Sequence, residues 1–164
     1  MGITSSQYRW LKRFQAPPLV FQIYLYYRTM VGALEVNLDA IDFFAGVANV
    51  KKGFAKLGYA ACAYDYINDS IYQHIMHDSG FLAALTWIMR LRDKTGFTHW
   101  GTVCSTWVWI ARASTGRSET RPMGSSSSEA TQRANTMVAR MCLFLMIIRS
   151  KKAKWLLEQP ASSP

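Results

Sequence analysis

Four short stretches of this 164-residue sequence carry side chains able to do chemistry: Asp42–Gly46, Asp65, Cys104-Ser105 and Glu158-Gln159. They offer a thiol that is nucleophilic once deprotonated, carboxylates that accept hydrogen bonds or move a proton, and a glycine that lets the backbone approach a ligand. Each also has a plainer use. Cys104, beside Val103 and near Trp107, serves equally as a small buried apolar residue, and Asp65 and Glu158 serve as local caps or pairs. His74 and His77 stand three apart and share a face if helical, but no third or fourth ligand is spaced to complete a zinc site. Cys62, Cys104 and Cys142 are odd in number and far apart, which excludes a disulfide framework or a Cys-x-x-Cys site and points to a reducing compartment.

Those residues matter only if the chain brings them together, and the hydrophobic pattern says how. Leu38–Phe44 is an apolar run of strand type ended by Ala45-Gly46. Val47–Leu57 repeats apolar residues at helical spacing and stops at Gly58. Tyr59–Tyr64 reads as a second strand ending on Asp65, Ile67–His77 as a helical turn or two, Phe81–Leu91 as a helix, and Phe97–Cys104 as a third strand. Ala113–Glu129 holds six Ser among Thr, Gly, Pro and Arg and reads as a mobile loop, open to cleavage at Arg117 or Arg121. Ala130–Arg149 is an amphipathic helix and Ala153–Leu157 a fourth strand. Alternating strands and helices predict an α/β fold, a parallel sheet covered on both faces. Right-handed crossovers then give the strand order second, first, third, fourth. The winding reverses between the first and third strands, and ligands bind outside the C-terminal strand ends at such a point. All four reactive stretches fall there.

Half of the residues are apolar, with six Trp, eight Tyr and eight Phe, so a packed core is affordable and a disordered chain is excluded. No apolar run reaches the roughly 18–20 residues of a membrane helix. The formal net charge of +9 is uneven. Residues 1–36, an aromatic arm broken at Pro17-Pro18, carry +3; residues 37–110 are neutral; residues 111–164 carry +6. Such basic ends attract nucleic acid, anionic lipid or an acidic protein face, and charge alone does not choose among them.

The glycine turn and its surroundings carry a resemblance. Asp42-Phe43-Phe44-Ala45-Gly46, followed by Gly53-Phe54 and Gly58-Tyr59, resembles the first motif of the DNA cytosine-5 methyltransferases. Asp65 stands where that family holds the ribose of S-adenosylmethionine, Thr102-Val103-Cys104 where it has its Pro-Cys nucleophile, and Glu158-Gln159-Pro160 where it has Glu-Asn-Val or Glu-Asn-Pro. A nearer likeness is to methyltransferase-like proteins of dinoflagellates and other algae. It rests on Cys104-Ser105-Thr106-Trp107-Val108-Trp109, Ser114-Thr115-Gly116-Arg117-Ser118 and Trp155-Leu156-Leu157-Glu158-Gln159-Pro160.

The resemblance implies a Rossmann-like, methyltransferase-type sheet over residues 37–164, incomplete, with an N-terminal arm over residues 1–36. If the chain is active, Cys104 and Glu158 are catalytic, and Asp42, Phe44, Gly46 and Asp65 bind S-adenosylmethionine. The chain departs from the family at Ala48 and Asn49, which replace turn glycines, and at Val103, which replaces the proline before the cysteine. It also ends six residues after Glu158, short of a target-recognition region. These departures favour a non-catalytic, cofactor-free accessory subunit with protein partners in a larger assembly. The algal likeness suggests a plastid and a peripheral place on a photosynthetic membrane complex. An active methyltransferase and a nucleic-acid-binding module using the basic C-terminal half are the other readings. The fourth strand is expected to present an open edge, with Leu19–Tyr27 strand-like enough to cover it.

Overall fold

The computed structural model describes residues 3–32 and 34–159, and the Pro160 of the Glu158 string lies outside them. Its centre is a four-stranded, all-parallel sheet in the order second, first, third, fourth, as the crossover rule predicts. The strands are β1 (Ala40–Phe43), β2 (Ala61–Tyr64), β3 (Phe97–Trp100) and β4 (Lys154–Leu157). All four residues of β1 are buried, as expected of a central parallel strand, and it pairs Asp42 with Ala63 on one side and His99 on the other. The fold is therefore α/β and Rossmann-like, with fewer strands than a full doubly wound sheet.

Strand alternation splits the core unequally. Ile41, Phe43, Tyr64 and Trp100 face one way, with Phe43 stacked on Trp100 at 4.1 Å between ring centres. Over them pack α4 (Asp78–Arg90), through Phe81, Leu85 and Ile88, and α6 (Glu129–Ser150), through Met141, Phe144 and Ile148. The opposite face has one short helix, α3 (Asn49–Lys56), whose Phe54 stacks on Phe97 at 5.3 Å. Both faces do carry helices, but the second cover is slight, and Leu156 beside it is half exposed.

The N-terminal arm differs from its sequence reading. It forms α1 (Ser5–Arg13), closed by a Thr4/Gln7 capping box, and α2 (Pro18–Val31). The expected strand at Leu19–Tyr27 is thus helical: Pro18 sits in the first turn, where its missing N–H costs nothing, and Val20 and Tyr24, four apart, bury one face. α2 packs on α4, where Phe21 meets Phe81 at 5.8 Å, and so backs the well-covered side of the sheet instead of the β4 edge.

The Ser-rich segment also differs. A 3-10 turn at Trp109–Ala111 runs into α5 (Arg112–Thr115), and the loop beyond is tied to the body by Arg117. That residue is only 2 % exposed. Its guanidinium lies 3.5 Å from the centre of the Trp107 ring and donates to Asn135 Oδ1 at 2.8 Å and to the Pro122 carbonyl. Arg117 is therefore no ready cleavage point, whereas Arg121 is exposed. Composition read as freedom missed a single buried cation. Residues 67–77 form successive turns instead of regular helix, and among the described residues no helix is long and apolar enough to cross a membrane.

Candidate functional site

β1 and β3 lie side by side with Asp42 opposite His99, and this pairing builds a polar cluster at the strand ends. Asp42, 2 % exposed, bonds His99 Nδ1 through Oδ1 at 2.9 Å, while its Oδ2 accepts the Lys51 N–H at 3.1 Å. The carboxylate thus caps the first turn of α3 and orients an imidazole at once. On the other side of the ring, His99 Nε2 stands 3.5 Å from Glu158 Oε1. Glu158 follows β4 directly and its side chain is 69 % exposed. Three adjacent strand ends are thereby joined in one relay, Asp42–His99–Glu158, running from core to solvent. The neighbouring Thr102 hydroxyl donates to the Glu158 carbonyl at 3.5 Å.

The glycine turn after β1 is wound through the left-handed region three times, at Phe44 (φ 57°), Gly46 (φ 50°) and Ala48 (φ 56°). Glycine adopts this conformation freely, but a residue with a Cβ is strained in it. Ala48 thus keeps a glycine-type backbone without the glycine. Asp65 holds the turn shut. Its Oδ2 accepts the Gly46 N–H at 2.8 Å and its Oδ1 the Ile67 N–H at 3.0 Å, with the residue 6 % exposed.

A cavity of about 310 Å³ opens beside these strand ends. Phe44, Tyr66, His74, Ser105, Arg133 and Met137 are among the residues lining it, a mainly apolar wall with one cation and one imidazole. His74 Nδ1 accepts the Met76 N–H at 3.1 Å, so the neutral ring carries its proton on Nε2. Burial, then His77 and Arg133, push the His74 pKa below its ordinary value and favour that neutral form.

The sequence-derived candidates accordingly separate. Asp42 and Glu158 meet through His99, and Gly46 meets Asp65 directly. Phe44 lines the cavity. Cys104 is half-buried, and its neighbours Val103, Ser105 and Thr106 line the cavity while Cys104 does not. His99, Arg133 and His74 as a cavity residue were missed. For His99 the sequence signal was misplaced: with the third strand read as running on to Cys104, aligning the strand ends sets Thr102 opposite Asp42, whereas β3 ends at Trp100 and brings His99 there. Nothing local marked the other two. Among the described residues no group of three or more His, Cys, Asp or Glu converges as a metal site. No family model, curated protein or solved structure matches the chain.

Proposed function

We propose that this chain is a methyltransferase-like α/β domain without methyl-transfer activity, acting as a non-catalytic accessory subunit of a larger assembly. The observation that carries this reading is the state of Asp65. A carboxylate that holds ribose hydroxyls must turn its oxygens to the ligand, and here Asp65, only 6 % exposed, turns each oxygen to a main-chain N–H, of Gly46 and of Ile67. Freeing either breaks a main-chain hydrogen bond to a carboxylate, at roughly 1.5–3 kcal/mol. The likeness of Asp42–Gly46, Cys104 and Glu158 to the cytosine-5 methyltransferases supplies the family side of the proposal. Asp42 is likewise engaged, by His99 and by the first turn of α3, while Glu158 keeps an exposed side chain near His99.

A second reading, an active S-adenosylmethionine-dependent methyltransferase, is favoured by the cavity at Phe44 and Ser105. Its volume lies at the lower end of the roughly 300–1,000 Å³ typical of ligand sites. Titration calorimetry with S-adenosylmethionine and its demethylated product decides between the two. The accessory reading expects no saturable heat up to about 100 μM ligand, and a dissociation constant of tens of micromolar or tighter favours the enzyme instead. Native fractionation tests the assembly: the protein should migrate with a large complex, and migration as a free chain is the contrary result.

A further inference from the structure

We infer that the free edge of β4 is a self-complementary interface, through which two copies of this chain pair antiparallel about a two-fold axis at Leu156. The inference rests on β4 alone and is independent of the ligand-site reading. Among the described residues β4 is bonded only to β3. The N–H groups of Lys154 and Glu158 donate inward, to the carbonyls of Gly96 at 2.8 Å and Trp100 at 3.0 Å. By the two-residue period of a strand, Lys154, Leu156 and Glu158 direct their main-chain groups to β3, and Trp155 and Leu157 direct theirs outward.

An antiparallel neighbour bonds only through outward groups, which leaves three central registers. Trp155 opposite Trp155 sets Lys154 against Leu156. Leu157 opposite Leu157 sets Leu156 against Glu158. Trp155 opposite Leu157 is the remaining register: it sets Leu156 against itself and Lys154 against Glu158 of the second copy, twice by symmetry. Over residues 154–158 only this arrangement pairs opposite charges and keeps like with like, as cross-strand neighbours favour. The side chains are available, since Trp155 is 48 % and Leu156 53 % exposed and Lys154 and Glu158 are exposed as well. Edge strands are commonly guarded by a charge at their centre. Here the charges stand at the ends, with opposite signs.

The interface is small, so association is expected to be weak and is measured by sedimentation equilibrium up to about 500 μM. The unaltered chain should show a concentration-dependent monomer–dimer equilibrium. Lys154→Glu and Glu158→Lys should each weaken it by about tenfold or more, and mixing the two variants should restore it, because each then meets its opposite charge. Far-UV circular dichroism confirms that each variant is folded. Leu156→Cys should form an intermolecular disulfide under mild oxidation, since the axial pair is of the non-hydrogen-bonded kind with Cα atoms about 4.5 Å apart. Trp155→Cys should not link to itself, because Leu157 stands opposite; peptide mapping separates these products from links through the native cysteines. A monomer throughout the range overturns the inference. So does a dimer indifferent to both charge reversals, or one that cross-links at Trp155→Cys and not at Leu156→Cys.

Discussion

His74 shows how one side chain is set by everything around it. It sits on a turn, takes the Met76 N–H on Nδ1, and has His77 at 4.7 Å ring to ring and Arg133 in the same cavity. Burial, His77 and Arg133 all oppose a second positive charge, so the folded chain holds its imidazole below the ordinary 6.5. The sign follows from proton uptake. As pH falls through that ordinary value, the unfolded chain binds a proton that the folded chain refuses, and stability drops. His74→Asn retains an acceptor for the Met76 N–H but cannot titrate. Urea midpoints measured at pH 8 and pH 5 should therefore fall more for the unaltered protein than for this variant. Equal losses would mean that His74 contributes nothing to the acid sensitivity.

The meeting of α4 with the preceding turn is closer than either segment suggests. A Cβ placed on Gly80 falls 2.1 Å from the His74 carbonyl oxygen, and the Gly80 carbonyl itself accepts the Tyr64 hydroxyl at 2.9 Å. The helix thus starts hard against the wall of the cavity, and only glycine allows it. Gly80→Ala should shift backbone and cost about 2–3 kcal/mol, a fall of roughly 5–10 °C in Tm for a domain of this size. Gly53, inside α3, meets nothing within 4 Å, and Gly53→Ala should be neutral or gain up to about 1 kcal/mol from helix propensity. Thermal melts of the two variants side by side test the contrast, and indistinguishable melting temperatures would refute the close contact at Gly80.

Arg140 connects three parts of the molecule that the chain order keeps apart. From α6 it donates to the Gln15 carbonyl of the arm at 2.9 Å and to the carbonyls of Ile75 and Met76 at 2.8 and 2.9 Å. Burial holds its pKa below the ordinary arginine value, with Asp78 opposing that shift. Arg140→Met keeps much of the apolar stem but leaves three carbonyls without this donor, at about 3 kcal/mol in all. Hydrogen exchange should then rise together in residues 3–32 and 65–77, two segments distant in sequence. A rise confined to one of them would show that the arm docks without this residue.

The parallel sheet and its strand order were legible because they depend on local pattern. The four apolar runs that become β1 to β4, the helices between them and the handedness of crossovers leave few arrangements. The strand ends at Asp42, Asp65 and Glu158 were legible for the same reason, whereas Cys104, expected to end the third strand, lies four residues past β3. The relay was not, because His99 becomes a partner of Asp42 only when β3 lies beside β1, in a register that neither strand encodes alone. Leu19–Tyr27 read as strand-like, yet burial of Val20 and Tyr24 against the helical layer made it helix. Serine and glycine described the segment around Arg117 as loose, whereas cation–aromatic stacking and three hydrogen bonds tie it down. Periodicity fixes which face of an element is apolar, but what that face meets depends on side chains dozens of residues away. There, burial and hydrogen-bond satisfaction override local preference.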